Sequence, residues 1–284
     1  MELIDTHVHL LHPERFTYAW CAGNPALQRR FSLEDYREAV GRVRSRVKVS
    51  ALMFMEADVP AAEQTDQTAW SAQLANRDRG EPPLYAIVAG ASPEQPDFAA
   101  QLDRLAGEAR VRGLRRVLHT QPDAVLESPV LAESLRLLAA RELSFDLCVR
   151  PRQLPLVTAL VTQCPQTQFI LDHAAAPDIA GGADFEAWRE GIRQLAARPN
   201  VACKFSGLGS LADPKLPLAP QVRPYFAHCL ECFYPERMLW GTDWPVSPNL
   251  QAWFEATAEL LGELSPHEQA AIGTGNAARI YRLN

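Results

Sequence analysis

Two histidines stand one residue apart near the start of the chain, directly after an apolar run. His7 and His9 close the stretch "ELIDTHVH", which is typical of a strand. Because strand side chains alternate between two faces, both imidazoles point the same way and can meet one cation. Two hydrogen-bonded histidines closing an ordinary strand fit the same pattern. Asp5 shares the parity of the pair, so we expect it to face inward as a structural carboxylate with buried donors.

Two further residues could complete a metal site, for which a histidine pair alone supplies too few ligands. His173 ends the apolar run "QFILDH", and Asp243 ends the run "RMLWGTD". A zinc-type site needs three or four nitrogen and oxygen ligands and an open position for water. The predicted metal ligands are therefore His7, His9, His173 and Asp243, provided that the fold brings these strand ends together.

Eight short runs rich in Val, Ile, Leu and Phe supply the elements that would position these residues. They span residues 2–9, 47–56, 84–91, 114–120, 144–150, 168–173, 201–207 and 237–243. Several are apolar almost without alternation, as strands buried on both faces of a parallel sheet are. Segments with helical periodicity separate them, and no G-x-G-x-x-G follows the first run. The pattern predicts an α/β fold, a (β/α)8 TIM barrel that forms a single domain over residues 1–284.

In such a barrel, the active site forms at the carboxyl ends of the strands. Polar residues at the ends of further runs are Glu56, His119 and Arg150. We expect them to meet the predicted metal ligands at the barrel mouth. Lys204 lies inside the seventh run. The sequence does not decide whether it forms a structural ion pair or contacts the substrate.

Composition excludes several classes of partner. The 284 residues carry a formal net charge of −6, and no Lys/Arg block is long enough to follow a phosphate backbone, so we expect no nucleic-acid partner. No apolar stretch approaches the roughly 18 to 20 residues that span a bilayer, so we expect no membrane partner. The first residues resemble a core strand more than a signal peptide. We expect a cytoplasmic protein with a small-molecule partner, and the sequence leaves the oligomeric state open.

Four motifs together resemble those of a known superfamily. "DTHVHL", "FILDHAAAPDI", "CKFSGL" and "MLWGTDWPVS" are similar to the amidohydrolase superfamily, and within it to the amidohydrolase-2 group of L-fucono- and L-rhamnono-lactonase-like sugar lactone hydrolases. The likeness extends over nearly the whole chain, including "FMEAD" and "SFDLCVRPRQLP". It implies a barrel that hydrolyses a cyclic ester, with the four predicted ligands around a single divalent metal or the reacting carbonyl. Some relatives in this group work without a metal.

The chain departs from the two-metal members of that superfamily. Those proteins place a metal-bridging lysine at the end of strand four, where this chain has "RRVLHT". They also carry a histidine on strand five, where this run ends in Arg150. We therefore expect at most one divalent ion, with zinc as the first choice.

Lactone hydrolysis would assign roles to these residues. Asp243 would accept a proton from the attacking water and deliver it to the leaving alkoxide, and His173 would bind the ion or donate to the carbonyl oxygen. The hydroxyls of a sugar lactone must find paired polar groups. The predicted substrate-binding residues are Glu56, His119, Arg150 and Trp244. The structural alternatives are that Glu56 only forms an ion pair with Arg150, and that His119 is a core residue whose hydrogen bonds are made within the protein.

Two other functions fit parts of the same pattern. A metal-dependent, non-oxidative decarboxylase of the same superfamily would use the same metal ligands. A non-catalytic sugar-acid binder would keep the barrel without needing the proton-transfer carboxylate of Asp243. The sugar, its ring size and the identity of the metal are not determined by the sequence.

Overall fold

The computed structural model of the chain describes residues 1–247 and 249–283. Within this part, eight parallel strands form one sheet in chain order, each hydrogen-bonded to the next. The strands are β1 (Glu2–Val8), β2 (Lys48–Met55), β3 (Leu84–Gly90), β4 (Val111–Val117), β5 (Ser144–Cys148), β6 (Phe169–Leu171), β7 (Val201–Phe205) and β8 (Met238–Trp240). The predicted (β/α)8 architecture is confirmed.

Helices follow the strands and cover the outside of the sheet. They are α1 (Leu33–Gly41), α2 (Gln64–Arg77), α3 (Phe98–Ala106), α4 (Asp123–Leu126), α5 (Pro129–Arg136), α6 (Leu154–Thr162), α7 (Phe185–Ala196), α8 (Leu218–Phe233), α9 (Leu250–Gly262), α10 (Pro266–Ala270) and α11 (Asn276–Ile280). Ser32 and Asp35 form a capping box at the start of α1. Within the described residues, none of the helices has the length and apolar character needed to cross a membrane.

The sheet closes between its last and first strands through the residues that follow β8. The backbone N–H of Asp243 donates to the carbonyl of His7 at 2.8 Å, and that of His9 donates to the carbonyl of Trp244 at 2.8 Å. Parallel strands satisfy their backbone groups only when both edges find partners. The same two bonds therefore close the barrel and bring the end of β8 against the H-x-H pair.

Apolar side chains fill the barrel below the mouth. Met53, Val88, Ile170 and Leu239 are fully buried in the interior, where Tyr281 packs against them at the end of the chain. Fully burying an apolar side chain of this size contributes roughly 1.5–3 kcal/mol. A second buried layer lies between the sheet and the helices. The apolar side chains therefore fill the barrel interior up to the level of the mouth.

Strand β4 differs most from the sequence expectation. It spans Val111–Val117, whereas the apolar run predicted 114–120. The N–H groups of Leu118 and His119 both donate to the carbonyl of Cys148, at 2.9 and 3.1 Å, so these residues turn away from the strand. The shift places Arg115 inside the barrel, where its side chain is only 4% exposed.

Candidate active site

A cavity of about 220 Å³ opens at the carboxyl ends of the strands. The polar residues in its wall include His9, Arg115, His119, Arg150, His173 and Asp243. They come from the segments that follow β1, β5, β6 and β8, and from β4 and the turn after it. The barrel thus gathers at one mouth the side chains that the sequence separates by up to 234 residues, from His9 to Asp243.

The four predicted metal ligands lie together at the floor of this cavity. His7, His173 and Asp243 each offer a ligand atom within 4.8 Å of the others. Asp243 Oδ1 lies 3.6 Å from His7 Nε2 and 3.4 Å from His9 Nε2. His7 is fully buried beneath the cavity, whereas the other three reach its wall.

Hydrogen bonds hold the Nδ1 atoms of two imidazoles. Nδ1 of His9 lies 3.1 Å from the carbonyl of Met55, and Nδ1 of His173 lies 3.1 Å from the carbonyl and 2.9 Å from the hydroxyl of Ser206. Since a carbonyl only accepts, Nδ1 of His9 carries the proton and its Nε2 has a lone pair, whereas the Ser206 hydroxyl can donate to or accept from Nδ1 of His173. A carbonyl that holds the far nitrogen is the usual support of a metal-binding histidine.

His7 has the same tautomer for a different reason. Its Nε2 lies 3.3 Å from Nη1 of Arg115, which only donates, and its Nδ1 lies 3.5 Å from Oδ1 of Asp172. Burial lowers the pKa of His7 well below its usual value, although the charge of Asp172 opposes this. This neutral imidazole, backed by a carboxylate, suits a divalent ion.

Burial also sets the charge states of the other three residues. It lowers the pKa of His9 to about 3, with the Arg115 charge as a second cause, and it lowers the pKa of His173. Burial raises the pKa of Asp243 to about 6, although the charge of His173 acts in the opposite direction. Near pH 7 the site therefore holds neutral imidazoles and a carboxylate, which is a donor set that fits a divalent ion.

The backbone at the site adopts conformations that are rare for residues with side chains. His173 has φ 54° and Asp243 has φ 61°, both in the left-handed region. Gly207, with φ 68°, approaches both residues. A Cβ on this glycine would lie 2.6 Å from His173 Nδ1 and 2.8 Å from Asp243 Oδ2. Strain of this kind concentrates at functional sites.

Comparison with known proteins identifies the family. A family model described as amidohydrolase matches residues 4–283. The chain belongs to this amidohydrolase family. It is 35% identical to an L-fucono-1,5-lactonase of Burkholderia ambifaria over 211 residues, which are 71% of each protein. It is 29% identical to an L-fucono-1,5-lactonase of Burkholderia multivorans over 295 residues, covering 99% of this chain and 96% of that relative.

A solved structure has the same architecture. The crystal structure of a zinc-bound amidohydrolase from Burkholderia multivorans matches with a TM-score of 0.84 and 27% sequence identity, over 100% of both chains. The predicted membership of the amidohydrolase superfamily is thereby confirmed.

Glu56 of this amidohydrolase pairs with a residue that sequence reasoning did not select. Its Oε1 accepts from Nε of Arg115 at 2.6 Å, and its backbone carbonyl accepts from Nη2 at 2.8 Å. The considered pairing of Glu56 with Arg150 is therefore wrong, and Glu56 lies behind the cavity wall. A charged residue inside the apolar run "LRRVLHT" was the available signal for Arg115. Because the predicted fourth strand began three residues too late, Arg115 was not expected to face the barrel interior.

His119 and Arg150 both line the cavity of the amidohydrolase, where substrate contact was predicted. His119 Nδ1 lies 3.5 Å from the sulfur of Cys148, and burial lowers the pKa of this imidazole to about 4, with Arg150 as the next cause. Arg150 is exposed at the rim, where Nη1 donates to the carbonyl of Ala176 at 3.5 Å. Both side chains are placed to meet a ligand.

Trp244 and Lys204 lie away from the cavity wall of this amidohydrolase. The indole of Trp244 packs edge-on against Phe31 and Tyr36, with ring centroids 5.3 and 5.5 Å apart, and not against the cavity where substrate contact was predicted. Lys204 Nζ is fully buried, 2.6 Å from Asp146 Oδ1. Of the two roles left open for Lys204, the structure therefore supports the internal ion pair.

Asp5 does not face the barrel interior as its parity predicted. Its carboxylate accepts from the hydroxyl of Tyr36 on α1 at 2.7 Å, and from the hydroxyl and backbone N–H of Thr242 at 2.6 and 2.9 Å. A register irregularity between Asp5 and Val8 interrupts the alternation of β1. The predicted structural role holds, since Asp5 ties α1 to the segment that carries Asp243.

Proposed function

We propose that this amidohydrolase opens the cyclic ester of a sugar-derived lactone, an aldonolactone, by attack of a water that Asp243 deprotonates. The observation that carries the proposal is the carboxylate of Asp243 in the cavity floor, 3.4 Å from His9 Nε2 and 3.6 Å from His7 Nε2. The relatives named as sugar lactonases support the same class of substrate. The cavity, at about 220 Å³, suits a small molecule.

Asp243 would move the proton in both halves of the reaction. It accepts a proton from water as the water oxygen bonds to the lactone carbonyl carbon. It then delivers that proton to the ring oxygen as the bond from this oxygen to the carbonyl carbon breaks. The products are a hydroxyl group and a carboxylic acid, so atoms and charge balance. Arg115 in the cavity wall contributes positive charge near the carbonyl oxygen, where negative charge develops.

The proposed cofactor is one divalent ion, zinc in the first place, held by His7, His173 and Asp243 with His9 beside them. When bound, such an ion polarises a carbonyl and lowers the pKa of water to about 7. His173 would serve as a ligand through Nε2, because Ser206 holds its Nδ1 with a carbonyl at 3.1 Å and a hydroxyl at 2.9 Å. Arg115 must then release its contact with His7 Nε2.

A lactone screen tests the proposal. The purified protein is mixed with L-fucono-, L-rhamnono-, D-galactono- and D-gluconolactones in a pH-indicator assay, with and without a chelator, and its zinc content is measured. We expect acid release from at least one aldonolactone and about one zinc per chain that H173N loses. Release of carbon dioxide from aromatic acids with no lactone turnover would overturn the proposal. Lactone turnover that survives complete metal removal would overturn the cofactor alone.

A further inference from the structure

Asp58 places a carboxylate in the cavity wall that has no hydrogen bond or ion pair within the described chain. We propose that Asp58 determines substrate specificity: it accepts hydrogen bonds from ring hydroxyls of the lactone and disfavours lactones that carry an anionic substituent. The inference rests on the proposed lactonase function and adds the substrate's charge and polarity. It concerns a residue outside the metal ligands and the proton-transfer machinery.

The backbone holds Asp58 in an unusual conformation. Its φ is 49°, in the left-handed region, where Asp and Asn are tolerated better than most residues. Its N–H donates to Oε2 of Glu56 at 2.6 Å. The other oxygen of that carboxylate accepts from Nε of Arg115 at 2.6 Å. One buried carboxylate therefore fixes both the guanidinium and the turn that presents Asp58.

A second contact fixes the same turn. Trp20 Nε1 donates to the carbonyl of Ala57 at 2.9 Å, and Trp20, Ala57 and Asp58 all line the cavity. An indole packs well against the apolar C–H face of a ring, while a neighbouring carboxylate accepts from the hydroxyls at its edge. The cavity wall thus offers an apolar partner to the face of a hydroxylated ring and a hydrogen-bond acceptor to its edge.

The carboxylate of Asp58 has unused acceptor capacity. Across residues 1–247 and 249–283 it receives no hydrogen bond and forms no ion pair, and its residue is half-buried. Burial and the charge of Glu56 raise the pKa of Asp58, although the charges of Arg115 and Arg116 act in the opposite direction. A carboxylate that has lost part of its hydration gains from each hydroxyl donor, because hydrogen bonds to charged groups are the stronger ones.

Arg150 carries the opposite charge on the same cavity, so the two residues favour different substrates. Arg150 is exposed at the rim, where water and salt screen its charge, whereas Asp58 is half-buried. Arg115, which is paired with Glu56, acts on the ester carbonyl that every lactone carries, so it does not discriminate between ring substituents. The less screened charge of Asp58 therefore outweighs that of Arg150, and the cavity favours neutral polyhydroxylated lactones over carboxylated ones.

Two variants test this with the side chain removed in different ways. Asp58→Asn keeps the shape without the charge, and Asp58→Gly removes the side chain; both residues adopt a left-handed backbone. Asp66→Asn removes one charge from an exposed position on α2 and is the matched control. Each protein is assayed for kcat/KM on the best aldonolactone of the screen, on the carboxylated D-glucaro-γ-lactone and on δ-valerolactone, which lacks hydroxyls. Thermal unfolding checks the fold.

We expect both Asp58 variants to lose about tenfold or more in kcat/KM on the aldonolactone, mainly through KM. D58N should gain about fivefold or more on the carboxylated lactone, because a like charge has been removed. The δ-valerolactone rate and the D66N control should stay at wild-type values. Unchanged selectivity in both variants, with wild-type turnover of the aldonolactone, overturns this inference alone. A wild type that hydrolyses none of the lactones overturns the proposed function instead.

Discussion

Asp243 donates its backbone N–H to the carbonyl of His7 at 2.8 Å, and its carboxylate lies 3.6 Å from Nε2 of the same histidine. One pair of residues therefore both closes the barrel and places the proposed proton acceptor beside the H-x-H pair. Because the backbone bond fixes the position and φ 61° fixes the direction of the side chain, the carboxylate needs no flexible loop to reach the site. Barrel closure and site geometry depend on the same contact.

Asp243→Asn should remove nearly all lactone turnover and leave the fold intact. The amide cannot accept the proton of the attacking water, and loss of general acid–base catalysis costs about 10²- to 10⁴-fold in kcat. Asn keeps the size and tolerates the left-handed backbone. Steady-state kinetics and thermal unfolding measure the two effects. Wild-type turnover by this variant would refute the role of Asp243.

Gly207→Ala should disable the site through geometry. The new methyl group would meet His173 Nδ1 at 2.6 Å and Asp243 Oδ2 at 2.8 Å, and a displacement of this order costs about 10²-fold in rate. Gly209→Ala is the matched control, since the nearest atom to its methyl group is Leu218 Cδ2 at 3.6 Å. Comparable kcat values in the two variants would contradict the argument.

Breaking the Glu56–Arg115 pair should destabilise the whole barrel. Arg115→Met leaves Glu56 buried without a cation, which costs about 3–5 kcal/mol of unfolding free energy. The double variant with Glu56→Gln should recover part of this loss, because the uncompensated charge is gone. Urea unfolding provides the values. Glu263→Gln, which removes an exposed partner of Arg223, is the control and should leave the free energy of unfolding close to the wild-type value. Equal losses in the buried and exposed variants would argue against the pair as a stabilising element.

His119→Gln should weaken substrate binding without changing the pH profile. Burial lowers the pKa of His119 to about 4, so the imidazole loses its proton above that pH and is neutral from about pH 5 to pH 8. We expect KM to rise about 3- to 10-fold while the shape of kcat against pH stays the same in that range. His267→Gln, at an exposed position on α10, should change neither. A lost limb of the profile would show that His119 itself titrates during turnover.

A series of buried polar groups connects the site with Tyr281, which follows α11. Tyr281 donates to Asp146 Oδ1 at 2.7 Å, and Lys204 Nζ lies 2.6 Å from the same oxygen and 3.0 Å from Asp172 Oδ1. Asp172 in turn faces Nδ1 of His7 at 3.5 Å. Buried charges persist where each has a partner. The cation of Lys204 therefore stabilises the carboxylate that orients His7.

The amino-acid sequence alone was sufficient to predict the architecture and the convergence of the four residues at the cavity floor. Apolar runs and helical periodicity are local signals, and eight repeats of them leave few folds other than a closed barrel. His7, His9, His173 and Asp243 each follow a strand, and in a barrel all strand ends meet at one mouth. Their convergence therefore required no knowledge of side-chain contacts.

The partners of the other residues depended on contacts that only the folded barrel creates. Beyond the last residue of a strand the alternation of side chains stops, so Trp244 turns to the helix layer and Asp58 to the cavity although both follow strands. Arg115 on β4 pairs with Glu56 at the end of β2, and Lys204 on β7 pairs with Asp146 on β5. Each pair therefore spans one intervening strand. Long-range pairing is decided by distance and burial in three dimensions, and neither quantity is encoded in local sequence spacing.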